Sequence, residues 1–207
     1  MFLMTNSICN YSLKPKSYLA GNKLEQFRNL KGVCKEASPL CNVLIGDSFI
    51  AQMEWRHTKL AKTYFKDWVL LGIGGDKVEH LLWRIMNGGL PKQPAKTIIS
   101  IGSNNVKRNN INSICATILN IACIVKSSES EVFICEQFPR ETIETSNLIR
   151  KLNNALQNIC QKNGIFFICN NPIFWKNSSC NEKLFDQNKI HLKSYGYEMF
   201  CRNIVFN

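Results

Sequence analysis

At 207 residues, 45% of them apolar and 10% aromatic, with 11 Gly and 6 Pro, the chain has material for one globular core and is neither disordered nor collagen-like. Its apolar runs fall well short of the ~20 residues that a bilayer span requires. The net charge is +11, and it is concentrated in residues 1–108, where 16 basic side chains face 7 acidic ones, against 10 and 8 in the remainder. A basic surface suits nucleic acid, anionic lipid or acidic partners, and serves solubility equally well. No aromatic-interleaved RNA-binding signature accompanies it.

The opening stretch MFLMTNSICNYSLKPK has no basic segment before its apolar start, and Asn6 and Asn10 interrupt it. It reads as no secretory signal. Residues 1–22 read as a loosely ordered N-terminal arm, and 23–207 as a single domain. LEQFRNLKGVCKEA (24–37) is expected to form a helix packed on a sheet. None of the ten cysteines forms a C-x-x-C pair, which argues against a zinc ribbon or a thioredoxin-type site. Several lie inside apolar runs, so buried reduced thiols are expected, in a cytoplasmic protein.

Strand and helix signals alternate from residue 42. NVLIG (42–46), WVLLGI (68–73), KTIISIG (96–102), EVFIC (131–135) and IFFIC (165–169) are short apolar runs of the kind buried in parallel sheets. Between them, Asp76 is placed to cap a helix carrying Val78, Leu81, Leu82 and Ile85, ending at Asn87-Gly88-Gly89. Apolar residues recur at helical spacing over 110–125 and 142–162, and a last helix follows Ser194. The alternation predicts an α/β fold, a three-layer α/β/α sandwich around a five-stranded parallel sheet. Function should then sit in the loops at the carboxyl ends of the strands.

Those loops hold the chemistry. Gly46-Asp47-Ser48 puts a hydroxyl at a strand end where a helix opens, and the Ser48 N–H lies where negative charge is favoured. A helix cap explains the same triplet. Gly72-Ile73-Gly74-Gly75-Asp76 offers backbone donors, or simply a tight turn. Gly102-Ser103-Asn104-Asn105 offers a side-chain amide as an oxyanion donor, or a turn. His191 precedes the last helix; His57 and His80 lie in settings that suit surface or packing roles. Together, Ser48, His191 and two polar strand-end loops match a nucleophile, base and oxyanion arrangement.

In this combination the sequence resembles the SGNH, or GDSL-type, esterase and lipase superfamily. GDS (46–48), Gly75, G-x-N (102–104) and His191 occur in the family's order. GIGGDKVEHLLWRIMNGGL (72–90), GSNN (102–105), FPRE (138–141) and HLKSYGY (191–197) are similar to one branch, the catalytic subunits of platelet-activating-factor acetylhydrolase Ib. The similarity spans about residues 24–204.

The resemblance implies a flavodoxin-like sheet. It makes Ser48 the nucleophile and His191 the general base. Ser48 N–H, Gly75 N–H and Asn104 become the oxyanion hole, and Asp47 a structural support. It implies no metal or organic cofactor, a small ester or lipid-like substrate with a short acyl group such as acetyl, and a homodimer as in that branch. The family's triad Asp, three residues before the His, is replaced here by Asn188. Asn cannot stabilise an imidazolium by charge; the equivalent Asp-to-Asn change in serine proteases costs about 10⁴ in kcat. Asp186, two residues upstream, is a candidate substitute.

A second reading is an SGNH-like domain of weak or absent activity that binds RNA or a protein partner through its basic surface. The C-terminal domain of the insect germ-plasm protein Oskar and domains of some retrotransposon proteins are of this kind. Asn188 and the basic first half suit that reading; four intact catalytic-type positions favour the enzyme. FPRETIET (138–145) and NNPIFWKNSSCNEKLF (170–185) are expected to border the site, with Phe174 and Trp175 as candidate pocket walls.

Overall fold

A computed structural model describes residues 13–17, 21–176 and 179–206. The first helix, α1 (Asn22–Glu36), leads into β1 (Asn42–Gly46), α2 (Ser48–Trp55), α3 (Thr58–Tyr64) and β2 (Trp68–Gly72). Then follow α4 (Val78–Met86), β3 (Lys96–Ser100), α5 (Ile111–Lys126), β4 (Glu131–Cys135), α6 (Ile143–Asn163) and β5 (Phe166–Ile168). A short hairpin, β6 (Trp175–Lys176) and β7 (Ser179–Cys180), precedes α7 (Ser194–Val205). All five expected strands form, in one parallel sheet of order β2-β1-β3-β4-β5.

Helices cover both faces, as a sheet buried on two sides requires. α4, α5 and α6 pack side by side, and α2, α3 and α7 form the other group. The apolar strands explain the arrangement. Val43, Leu44 and Ile45 are fully buried in β1, as are Ile98 and Ile99 in β3; each such side chain contributes about 1.5–3 kcal/mol of transfer free energy. Gly72 lets α2 lie directly on the sheet edge, because a Cβ there would overlap the Ala51 backbone. Asn110 and Thr142 cap α5 and α6, accepting from Asn112 N at 2.8 Å and Thr145 N at 3.2 Å.

One helix reading is corrected. The N-cap of α4 is Lys77. Asp76, expected to cap, is fully buried and ion-paired with the equally buried Arg84, Nε to Oδ2 2.9 Å. α3 and the β6–β7 hairpin had no counterpart in the periodicity, which is weak in so short an element. Of the N-terminal arm, residues 1–12 and 18–20 lie outside the described residues. Within it, Leu13 N donates to Thr117 Oγ1 at 2.8 Å, and Lys16 N to the Glu79 carbonyl at 3.0 Å.

β1 lies between β2 on one side and β3 on the other, and β3 is the central strand. The strand order therefore reverses between β1 and β3, and a crevice opens at their carboxyl ends. Ser48 follows β1 and Asn104 follows β3.

Candidate active site

Asp47 is the single residue between β1 and α2. Its Oδ1 accepts from Phe49 N at 3.1 Å, an N-cap that fixes where the helix begins. Ser48 is thereby the first helical residue, half-buried, with its N–H free of any acceptor among the described residues. His191 comes from the other end of the chain. It lies in a tight loop closed by the Phe185–Leu192 bridge and by hydrogen bonds from Asp186 N to the His191 carbonyl, 2.9 Å, and from Lys193 N to the Leu184 carbonyl, 2.8 Å. Phe185 and Leu192 are buried and anchor that loop in the core. The result is a 2.9 Å contact between His191 Nε2 and Ser48 Oγ, across 143 positions of sequence.

Asp47 is 1% exposed, and its second oxygen, Oδ2, accepts from Ser103 Oγ and from Asn104 Nδ2, both at 3.2 Å. Burial pushes its carboxyl up from the ordinary carboxylate range, while Arg140 pulls it back down. Asn104 Nδ2 also donates to the Asp76 carbonyl at 2.8 Å, and Arg140 Nη2 bonds Asn104 Oδ1 at 3.1 Å and Ser103 Oγ at 2.7 Å. The loop after β3 is thus tied to the loops after β1, β2 and β4. Gly75 stands exposed in the loop after β2 with φ +69°, a conformation that suits glycine. Its N–H has no acceptor among the described residues. Lys23 Nζ lies over it, 3.3 Å from where a Cβ would stand. Ser48, His191, Gly75, Asn104 and Asp47 therefore meet at one edge of the sheet.

The two candidates beside His191 differ. The Asn188 side chain is exposed, and its Oδ1 accepts from Ile190 N at 2.8 Å. Asp186 is half-buried, with Oδ1 3.4 Å from His191 N. Burial lowers the His191 pKa below its ordinary value, the Arg140 cation lowers it further, and the Asp186 carboxylate raises it.

Arg140 and Arg84 were not singled out in the sequence. Arg84 is fully buried, pairs with Asp76, and donates to the Leu71 carbonyl at 3.3 Å and the Gly46 carbonyl at 3.0 Å, at the ends of β2 and β1. The available signal was its place three residues after Leu81, on the apolar stripe of α4. Arg140 lay in view within FPRE, beside a strand end. Phe174 and Trp175 do not wall a pocket. Phe174 is fully buried, edge-on against Phe138 and Phe185, and Trp175 lies beneath Arg150. Their aromatic area goes to the core, because the hairpin folds inward there. His80 Nδ1 accepts from Lys77 N, and His57 packs against Tyr197, the rings tilted with centroids 4.2 Å apart.

Nine cysteines among the described residues are free thiols; Cys9 lies outside them. Burial pushes Cys115, Cys135, Cys160 and Cys201 up to about 12, far from reactive thiolates. No group of three His, Cys, Asp or Glu with metal-binding spacing occurs among the described residues. No helix among them is long and apolar enough to cross a membrane.

A doubly wound α/β/α sandwich with a Ser–His contact at the carboxyl ends of its strands defines the class as that of the SGNH hydrolases. The profile of the GDSL-like lipase/acylhydrolase family matches residues 44–199, and the chain belongs to this family. Solved structures agree on the fold. A GDSL-like lipase from Bacteroides thetaiotaomicron superposes with a TM-score of 0.76 at 18% identity, covering 86% of this chain and 94% of that one. A Streptococcus pneumoniae protein provisionally named a platelet activating factor gives 0.75 at 16%, over 88% and 90%. The acetylxylan esterase Axe2 from Geobacillus stearothermophilus gives 0.64 at 15%, over 82% and 94%. No curated protein matches the chain in sequence.

Proposed function

We propose that this chain is a cytoplasmic serine esterase, and that the 2.9 Å contact of His191 Nε2 with Ser48 Oγ carries its chemistry. Ser48 Oγ attacks the ester carbonyl as its proton passes to His191 Nε2. The carbonyl oxygen takes the negative charge, facing the unpaired N–H groups of Ser48 and Gly75 and the Asn104 amide. The C–O bond then breaks, and the alcohol leaves with the proton from His191. Water, deprotonated by the same imidazole, attacks the acyl-enzyme and releases the acid and free Ser48.

Asn104 spends both amide hydrogens in the resting site, on Asp47 Oδ2 and the Asp76 carbonyl. The longer bond, to Asp47, is the one it gives up when an oxyanion forms. Asp186 supplies the negative charge that stabilises the imidazolium, in place of the usual residue at position 188. Free thiols throughout the described core support a reducing compartment.

The test is p-nitrophenyl acetate hydrolysis by the purified protein under reducing conditions, with Ser48→Ala beside it. Turnover that vanishes in a folded variant is expected. Equal rates in the two proteins would remove Ser48 from the role given to it.

A further inference from the structure

A groove of about 610 Å³ opens beside Ser48 and runs between α1 and α2. One wall is α2: Ser48, Ala51, Gln52 and Trp55, at positions i, i+3, i+4 and i+7, with Glu54 beside Trp55 at its far end. From Ser48 to Trp55 that face extends about 10 Å at 1.5 Å per residue. Leu30 and Val33 of α1 face it. Trp55 and Val33 are 68% and 43% exposed, apolar surface that an occupant of the groove would cover.

Gln52, one helical turn from Ser48, is 8% exposed, and its Oε1 is buried with no hydrogen-bond partner among the described residues. An unsatisfied buried acceptor costs about 1–3 kcal/mol. The last torsion of a Gln side chain is soft, so the oxygen turns toward any donor that an occupant brings.

We propose that this groove holds the acyl portion of the ester, and that the preferred acyl group is a medium-length chain with a hydroxyl near the carbonyl, received by Gln52. The proposal rests on Ser48 being the nucleophile. Given that, the alcohol must leave within reach of His191, and His191 is not among the groove's walls; the acyl group occupies the other side. An acetyl group fills little of a cavity whose volume is in the range that holds drug-sized ligands. A hydroxyl close to the carbonyl comes level with Gln52, one turn along α2, and satisfies Oε1. The rest of the chain runs on to Leu30, Val33 and Trp55 and covers their exposed surface.

The experiment compares ethyl acetate, ethyl octanoate and racemic ethyl 3-hydroxyoctanoate by acid release in a pH-stat, with the full chain, its Ser48→Ala variant, Gln52→Met and Trp55→Ala. The wild type is expected to favour the hydroxyoctanoate over the octanoate by about tenfold in kcat/KM, the worth of one hydrogen bond of about 1.4 kcal/mol. Gln52→Met should bring that ratio to about one. Trp55→Ala, at an exposed position where folding is not at stake, should lower octanoate relative to acetate. Acetate turned over with no gain for either longer ester overturns the groove assignment while the esterase stands. The groove assignment also fails if Trp55→Ala leaves the octanoate-to-acetate ratio unchanged. A hydroxyl preference absent from the wild type, or one that survives in Gln52→Met, overturns the role of Gln52. No turnover of any ester above Ser48→Ala overturns the esterase reading and the groove assignment with it.

Discussion

Arg140 Nη2 donates at once to Ser103 Oγ, at 2.7 Å, and to Asn104 Oδ1, at 3.1 Å. Holding the amide oxygen of Asn104 with a cation leaves its NH₂ turned toward Asp47, the Asp76 carbonyl and the open edge of the site. The same cation offsets the buried charge of Asp47. Arg140→Ala is therefore expected to cost about 3 kcal/mol of stability by leaving that carboxylate uncompensated. It should also lower kcat, since Asn104 is no longer held. Urea unfolding and esterase kinetics on one preparation check both. A variant as stable as the wild type would show that Asp47 does not depend on this guanidinium.

Asn104→Ala should lower kcat by about 10²–10³ while KM changes little, because an oxyanion donor acts on the transition state more than on bound ester. A rise in KM at constant kcat would instead make Asn104 a substrate-binding group.

The pH profile reports on His191. Its neutral form is the base, so the rate falls as pH drops through its pKa, which burial and Arg140 hold below the ordinary 6.5. The acid limb of kcat/KM should have its midpoint below that value. Asp186 raises this pKa, so Asp186→Asn should move the limb to still lower pH and reduce kcat. An upward shift would show that the carboxylate at 186 does not act on the ring.

Asn188→Asp separates position from chemistry. The 188 side chain is exposed and accepts from Ile190 N, a bond that Asp makes equally well. Restoring a carboxylate there should change kcat/KM by less than about threefold. A gain of several orders of magnitude would return the triad role to position 188.

Arg84→Met tests the buried pair beneath the site. It takes the guanidinium from the buried Asp76 carboxylate and from two strand-end carbonyls, and should cost about 3–5 kcal/mol. Asp76→Asn with Arg84→Met should recover part of that loss, because no buried charge then remains. Thermal melts of the single and double variants give the answer; equal losses in both would leave the ion pair without weight.

The five strands were legible because each is a run of Val, Ile, Leu or Phe ended by Gly, Cys or a polar loop, and a sheet covered on both faces admits little else. Ser48, Asp47, Gly75 and Asn104 were legible for a related reason: each lies within four residues of a strand end. His191 stood out by its order after them. α3 was not legible, being one short amphipathic stretch without a cap signal. Nor were the roles of Phe174 and Trp175, since an aromatic residue reads alike whether it walls a pocket or fills a core.

By itself the sequence determined the fold class and which residues stand at the carboxyl edge, because strand periodicity and turn chemistry are local. Tertiary structure alone decided the pairings: His191 on Ser48, Arg140 on Asn104, Arg84 on Asp76, and the groove between α1 and α2. The first two depend on distances between segments far apart in the chain, and the others on burial that turns an ordinary Arg or Gln into a costly group to leave unpaired. A one-dimensional pattern carries neither quantity.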